Sequence, residues 1–132
     1  MKKEFVPYNL SLRLTQLGFD EPFNPFNTFY YRNGGLCEAN KDAVEYFNSL
    51  NDEVVLAPLF QQAFRWFREK YNLIGLVEGG YDNGKNIFTY VIWDDFKDII
   101  VDDYYLTYEE AELACITALI NIVENKQQAK TK

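Results

Sequence analysis

Apolar side chains recur at helical spacing in three stretches of the chain. The first stretch covers residues 7–17, where Pro7 suits a first helical turn and Gly18 suits the position just beyond the helix end. Its repeating apolar positions are Leu10, Leu14 and Leu17. The pattern predicts a short amphipathic helix that buries one face.

The second stretch begins at Pro58 and has the clearest periodicity. Its apolar positions form one continuous face: Phe60, Phe64, Phe67 and Tyr71, widened by Leu59, Ala63 and Trp66. Asn72 suits the C-terminal cap. We predict a helix whose face, centred on the line from Phe60 to Tyr71, packs into the core.

The third stretch starts with Thr107-Tyr108-Glu109-Glu110, which fits a capping box. The predicted helix runs to about Glu124, and its apolar side chains cover more than half of its circumference. A narrow polar stripe remains, formed by Glu110, Thr117, Asn121 and Glu124. Such a helix is either central to the core or partly covered by another chain. Residues 126–132 are polar, and we expect a frayed tail there.

Two turn signals lie between the predicted helices. Residues 26–32 are rich in strand formers and lead into Asn33-Gly34, after which a returning strand is expected at Leu36. The second signal is Asp82-Asn83-Gly84-Lys85, between predicted strands at 73–81 and 86–93. Each signal predicts a β-hairpin.

Two shorter stretches suggest further strands, and their surroundings stay open. Val54-Val55-Leu56 and Ile99-Ile100-Val101 are the candidates. Residues 38–53 fit a loop, a broken strand or a short helix, and residues 94–106 fit a loop that holds one more strand.

The order of these elements predicts an α+β fold. Helix, hairpin, helix, hairpin and helix follow one another, so an antiparallel sheet built from two β-hairpins, with the three helices mainly on one face, is the economical packing. The length of 132 residues suits a single domain, which we place at residues 1–125, before the tail.

The charge balance and the hydropathy narrow the possible partners. Acidic residues outnumber basic ones by 20 to 13, which disfavours binding to nucleic acid. No stretch has the length of a membrane span or the pattern of a signal peptide, so we expect a cytoplasmic protein without a membrane partner. Aromatic residues make up 17% of the chain, an excess that serves either a core or an exposed contact face.

The chain offers little catalytic chemistry. It contains no histidine, and its two cysteines, Cys37 and Cys115, belong to no CxxC pair. Cys115 falls on the apolar side of the third helix, and Glu109, Glu110 and Glu112 suit the first turn of that helix, where negative charge favours the dipole. We therefore predict no catalytic residue, no cofactor and no metal ligand.

Two further patterns have a simple structural interpretation. The acidic positions Asp94, Asp95, Asp98, Asp102 and Asp103 lack the calcium-loop spacing, so a solvated loop is expected. Gly34-Gly35 and Gly79-Gly80 belong to no phosphate-binding motif and are expected in turns, bulges or an edge strand.

One group on the second helix is a candidate interaction surface: Arg65, Trp66 and Arg68. Tryptophan and arginine are enriched at binding hot spots. The alternative is that Trp66 flanks the core while the two arginines are solvated.

Three segments resemble a known group of proteins. They are Pro7-Tyr8 through Leu17-Gly18-Phe19-Asp20-Glu21-Pro22, then Ala57-Pro58-Leu59-Phe60-Gln61-Gln62-Ala63-Phe64-Arg65-Trp66-Phe67-Arg68-Glu69-Lys70-Tyr71, and Thr107-Tyr108-Glu109-Glu110-Ala111-Glu112-Leu113-Ala114-Cys115. Together they resemble small uncharacterised proteins of Bacteroides-type gut bacteria, their phages and mobile elements. The resemblance implies a bacterial or phage cytoplasmic protein and implies no activity.

The leading hypothesis is a non-enzymatic interaction protein that meets a protein partner or a second copy of itself. The aromatic excess, the broad apolar arc of the last helix and the missing catalytic groups favour it. The alternative is a small-ligand-binding or enzymatic domain that uses tyrosine and carboxylate groups, which requires a concave pocket. A third hypothesis is an acidic decoy that mimics nucleic acid.

Overall fold

The computed structural model describes residues 4–19, 28–30, 34–38, 55–94, 97–100 and 103–130. These residues form three helices and six strands, an α+β fold in the predicted order. The chain divides into two compact units, residues 1–63 and residues 64–132, with the boundary inside the second helix. The single domain at residues 1–125 stays a prediction.

Helix α1, Tyr8–Gln16, confirms the first predicted helix. Pro7 is its N-cap, and Gly18 follows its end with a positive φ of 96°. The N–H of Phe19 donates to the Leu14 carbonyl at 3.0 Å, and the N–H of Gly18 donates to the Thr15 carbonyl at 3.0 Å. This pair of bonds is a Schellman motif, which requires the left-handed backbone that glycine adopts without steric cost.

Three short strands form the sheet of the first unit. Strands β1, Thr28–Tyr30, β2, Leu36–Glu38, and β3, Val55–Leu56, lie in the order β2-β1-β3, and both pairings are antiparallel. The first predicted hairpin is confirmed, with Tyr30 opposite Leu36.

A shared carbonyl joins helix α1 to this sheet. The Tyr30 hydroxyl donates to the Val6 carbonyl at 2.7 Å, and the Ser11 hydroxyl donates to the same oxygen at 2.9 Å. The Tyr8 ring meets the Tyr30 ring edge to face, with centroids 5.6 Å apart. One buried cluster of the unit contains Phe5, Tyr30, Val55 and Ala57.

Helix α2, Phe60–Tyr71, confirms the second predicted helix, but its buried face is rotated. Ala63, Trp66 and Phe67 are buried, whereas Phe64 and Tyr71 are only half-buried. The centre of the face therefore lies closer to Trp66 than the predicted line from Phe60 to Tyr71. Asn72 ends the helix with a positive φ of 55°, as a C-terminal cap requires.

The second unit contains its own sheet. Strands β4, Leu73–Asp82, β5, Lys85–Asp94, and β6, Lys97–Ile100, pair antiparallel in the order β4-β5-β6. Asn83 and Gly84 both have positive φ, 51° and 78°, which defines a type I′ turn and confirms the second predicted hairpin. Among the described residues the two hairpins thus belong to separate sheets, which differs from the predicted single sheet.

Helix α3, Tyr108–Lys130, begins at the predicted cap and extends further than predicted. The Glu110 N–H donates to the Thr107 hydroxyl at 3.1 Å. Residues 126–130, expected in a frayed tail, continue the helix, and Lys126 forms a salt bridge with Asp94 at 3.1 Å. Its buried face contacts β4 and β5.

Gly75 is the point of closest approach between this helix and the sheet. A Cβ at that position would lie 2.9 Å from the Cys115 Sγ, 3.0 Å from Leu119 Cδ1 and 3.2 Å from Phe64 Cε1. The register of β4 against β5 runs unbroken from Leu73 to Asp82, so Gly75 marks a close contact and not a bulge.

Candidate functional site

The structure separates the three residues of the predicted interaction surface. Trp66 is 3% exposed, whereas Arg65 and Arg68 are exposed. The Trp66 indole packs edge to face on Phe67 and Tyr71, at 5.1 and 5.3 Å between centroids. The Lys70 ammonium lies 5.3 Å from the centroid of the Trp66 ring. A buried indole offers a partner almost no area, so only the two arginines of this group are accessible here.

The cysteines supply no activated nucleophile among the described side chains. Cys115 is a free, fully buried thiol in the interface between α3 and β4. Burial, with a contribution from Glu112, raises the pKa of Cys115 to about 12, so the thiol stays protonated at neutral pH. Cys37 lies opposite Phe29 in the β1–β2 pairing, and its side chain is outside the described set.

The carboxylates of α3 have different environments. Glu109 and Glu110 are exposed in the first turn. Burial and the charge of Glu109 raise the pKa of the half-buried Glu112 from 4.5 to about 7. Of the acidic stretch after β5, Asp95 and Asp102 fall outside the described residues. Within the described part of the chain, no histidine, cysteine or carboxylate groups cluster as metal ligands.

The glycine pairs lie where no phosphate site is formed. Gly79 and Gly80 are inside strand β4, and Gly34 and Gly35 precede strand β2. A phosphate loop opens a helix with its backbone N–H groups, and neither pair does so.

One face of the second sheet exposes apolar side chains. Side chains alternate along a strand, so Ile74 and Leu76 lie on the side opposite to Gly75 and helix α3. Trp93 is opposite Ile74, and Val91 is opposite Leu76. Ile74 is 36% exposed, Leu76 47% and Trp93 42%. We call Ile74, Leu76, Val91 and Trp93 the reverse face.

The other feature of the second unit is a groove of about 500 Å³. One wall consists of Tyr90 and Tyr105. The other wall is one side of α3, at Glu110, Leu113, Ala114, Thr117, Ala118 and Asn121. These helix positions recur every three or four residues, and they include three members of the predicted polar stripe. We call this feature the tyrosine groove.

An isolated backbone pairing between Phe88 and Tyr105 holds the tyrosine wall in place. The Phe88 N–H donates to the Tyr105 carbonyl, and the Tyr105 N–H donates to the Phe88 carbonyl, both at 2.8 Å. The pairing places the Tyr105 ring against the Tyr90 ring, with centroids 6.4 Å apart and planes tilted by 28°. Burial raises the pKa of the Tyr90 phenol above its ordinary value, and neighbouring Tyr105 adds to the shift.

The helix wall presents both methyl and polar groups. Ala114 and Ala118 supply methyls between the polar positions. The Thr117 hydroxyl donates to the Leu113 carbonyl at 2.8 Å, so its proton is used within the helix. The Thr107 N–H and the Glu110 carboxylate do not form the reciprocal capping-box bond, so this carboxylate is not committed to the cap.

Neither surface was identified from the sequence. Residues 87–93 are apolar at almost every position, which is typical of a strand with apolar groups on both faces, and this signal indicates the reverse face. For the tyrosine groove, the sequence indicates only one of the two walls. The polar stripe of α3 is local, but Tyr105 reaches Tyr90 through a pairing with β5 that no local pattern indicates.

Comparisons with known proteins give no information on the function of either surface. No protein-family model, no curated protein and no solved structure matches this chain. Among the described helices, none combines the length and apolar character that crossing a membrane requires.

Proposed function

We propose that this chain is a non-enzymatic interaction protein that binds a protein partner, or a second copy of itself, through the reverse face. The carrying observation is the exposure of Ile74, Leu76 and Trp93 side by side on one sheet face. Two exposed aliphatic side chains and an exposed indole on the same sheet face form the kind of apolar centre that protein interfaces bury.

The chemistry of the described residues supports a binding role over a catalytic one. Cys115 is buried and protonated, and the carboxylates of α3 lie beside no histidine, since the chain has none. We also propose a cytoplasmic setting, in a bacterium or phage as the family resemblance implies. A free thiol at Cys115 suits a reducing compartment.

Sedimentation velocity over a micromolar concentration series tests the proposal. We expect a concentration-dependent dimer that Leu76→Ser abolishes, because a polar side chain would then stand at the centre of the buried patch. Leu106→Ser is the matched control, since Leu106 is 69% exposed but lies outside the sheet. A dimer that is equally weakened by both substitutions would contradict the assignment of the reverse face.

Tryptophan quenching distinguishes self-association from binding to a different protein. The protein has two tryptophans, Trp66 and Trp93, so each substitution to Phe leaves a single reporter. In the monomer, acrylamide should quench Trp93 and spare Trp66. A monomer with accessible Trp93 favours a different protein as the partner. A monomer whose Trp93 is as protected as Trp66 removes the reverse face as a binding surface.

The second candidate function, small-ligand binding, is supported by a separate observation. The tyrosine groove is concave, falls within the usual size of ligand pockets and combines apolar walls with a few polar groups. The nucleic-acid decoy stays a prediction without a described surface to support it.

A further inference from the structure

The Tyr90 hydroxyl belongs to a buried side chain and has no hydrogen-bond partner among the residues that the structure describes. Tyr90 is 6% exposed, yet within the described part of the chain its hydroxyl forms no hydrogen bond; its ring contact is with Tyr105. A buried hydroxyl that forms no hydrogen bond costs free energy. The hydroxyls of most buried tyrosines therefore form one. Because Tyr90 lies in the wall of the tyrosine groove, a molecule in that groove can supply the missing bond.

The shape and chemistry of the walls favour a flat ring. Two tyrosine rings form one side, and the methyl groups of Ala114 and Ala118 leave room on the other. Aromatic rings pack best against other ring systems in offset or edge arrangements. A volume of about 500 Å³ is in the range of pockets that hold small organic ligands.

The charged groups of the groove favour a ligand that carries a positive charge. None of the described residues that line it is a lysine or an arginine, whereas the Glu110 carboxylate is part of the lining. Asp103 is close enough to Tyr90 to raise the pKa of that phenol further. Carboxylates repel an anion, and tyrosine ring faces attract a cation.

We propose that the tyrosine groove binds a small, flat aromatic ligand that carries an amine cation. The Tyr90 hydroxyl donates a hydrogen bond to the ligand or accepts one from it, the ring lies between Tyr105 and the methyls of α3, and Glu110 pairs with the amine. The phenol of Tyr90 can donate at neutral pH, since the ordinary tyrosine pKa is already well above 7 and burial raises it further. This site is on the helix-bearing side of the sheet and is independent of the reverse face.

A matched pair of probes tests the charge and the ring together. Tryptamine and indole-3-acetate share an indole and carry opposite charges. In a nitrogen–proton NMR titration of the full chain, tryptamine should shift the amide signals of Tyr90, Ala114 and Ala118 saturably at millimolar concentration or below. Indole-3-acetate should bind at least about tenfold more weakly, a difference of about 1.4 kcal/mol. Equal affinities, or no saturable shift with tryptamine, would overturn the proposal.

Substitutions in the groove test the residues. Tyr90→Phe should weaken tryptamine binding several-fold without lowering the melting temperature, because it removes the unsatisfied hydroxyl and keeps the ring. Ala118→Leu should fill the groove and abolish binding, whereas Gln127→Leu, at an exposed position of the same helix, should not. Unchanged affinity in folded Ala118→Leu would contradict the site.

A surface substitution keeps the test decisive if Ala118→Leu does not fold. Glu110→Gln, at an exposed position, should weaken tryptamine several-fold and leave the binding of neutral indole unchanged. The reverse-face variant Leu76→Ser should bind tryptamine like the wild type. Loss of tryptamine binding in Leu76→Ser would assign the ligand to the other face and would overturn the groove as the site.

Discussion

Gly75 and Cys115 approach so closely that a methyl group on Gly75 would lie 2.9 Å from the Cys115 Sγ. The backbone of Gly75 is in a strand and does not have a positive φ, so its requirement is space and not conformation. The contact sets the distance between α3 and the second sheet, and the remaining close atoms belong to Leu119 and Phe64.

Gly75→Ala should therefore destabilise the fold by about 1–3 kcal/mol, the usual cost of overpacking a core. Chemical denaturation measures the loss. Gly79→Ala is the control in the same strand, because its Cβ would meet only the Phe88 ring at 3.8 Å, an ordinary contact distance. We expect a change of less than about 0.5 kcal/mol there. Equal losses at both positions would show that α3 does not press on Gly75.

The pH dependence of stability should carry a signature of Glu112. Its pKa is raised in the fold, from 4.5 to about 7, so the folded chain holds this proton more tightly than the unfolded chain does. The stability that the proton confers is complete below about pH 4.5 and is lost as the pH rises through about 7. The full shift corresponds to roughly 3 kcal/mol, and partial solvation of the side chain reduces this to about 1–2 kcal/mol.

Glu112→Gln removes this titration and should stabilise the protein at pH 8 relative to the wild type. The difference between the two proteins should shrink towards pH 4.5, as denaturation at a series of pH values can show. Glu110→Gln is the matched control in the first turn of the same helix, because Glu110 is exposed and its charge is not a cause of the raised Glu112 pKa. A wild type and Glu112→Gln variant with parallel pH profiles would contradict the raised pKa.

The rotated face of α2 predicts an order of cost for two phenylalanines. Phe67 is fully buried, whereas Phe64 is half-buried. Phe67→Ala should cost about 3–5 kcal/mol, as is usual for a core phenylalanine, and Phe64→Ala should cost less. Urea denaturation of the two variants measures both values. The reverse order would place the centre of the core where the sequence periodicity placed it.

Trp66 should behave as a core residue. Its indole is buried against Phe67 and Tyr71, so Trp66→Ala should destabilise the fold by about 3–5 kcal/mol. Arg65→Ala and Arg68→Ala, at exposed positions, should change stability by less than about 1 kcal/mol. A stable Trp66→Ala variant that loses association would instead make this helix the binding surface.

Local signals predicted the elements well because each has a cause within a few residues. Gly18 ends α1, Thr107 begins α3, and Asn83-Gly84 turns the second hairpin, each through hydrogen bonds or φ values that neighbouring residues determine. Positions set by distant contacts were harder to predict. Phe64 and Trp66 are both apolar, and which of them is more deeply buried depends on the surfaces that cover the helix.

For the candidate sites too, local signals were predictable from the sequence and contacts between distant residues were not. The polar stripe of α3 was visible, but its partner wall depends on the pairing of Tyr105 with Phe88, which lies 17 positions earlier in the chain. The strand β5 has apolar groups on both sides, and its sequence does not say which side α3 covers. Gly75 favours the side that α3 covers. Because glycine has no Cβ, the sheet leaves space there for Cys115 and Leu119 of the helix.

The burial of Cys115 also makes it a reporter of how often the second unit opens. A thiol reagent reaches this sulfur only when α3 separates from β4, so in a Cys37→Ser background the labelling rate measures the population of the open form. Each tenfold slowing relative to an unfolded peptide corresponds to about 1.4 kcal/mol of opening free energy. Opening of α3 from the sheet can thus be followed under native conditions, without denaturant, at a thiol that the chain already contains.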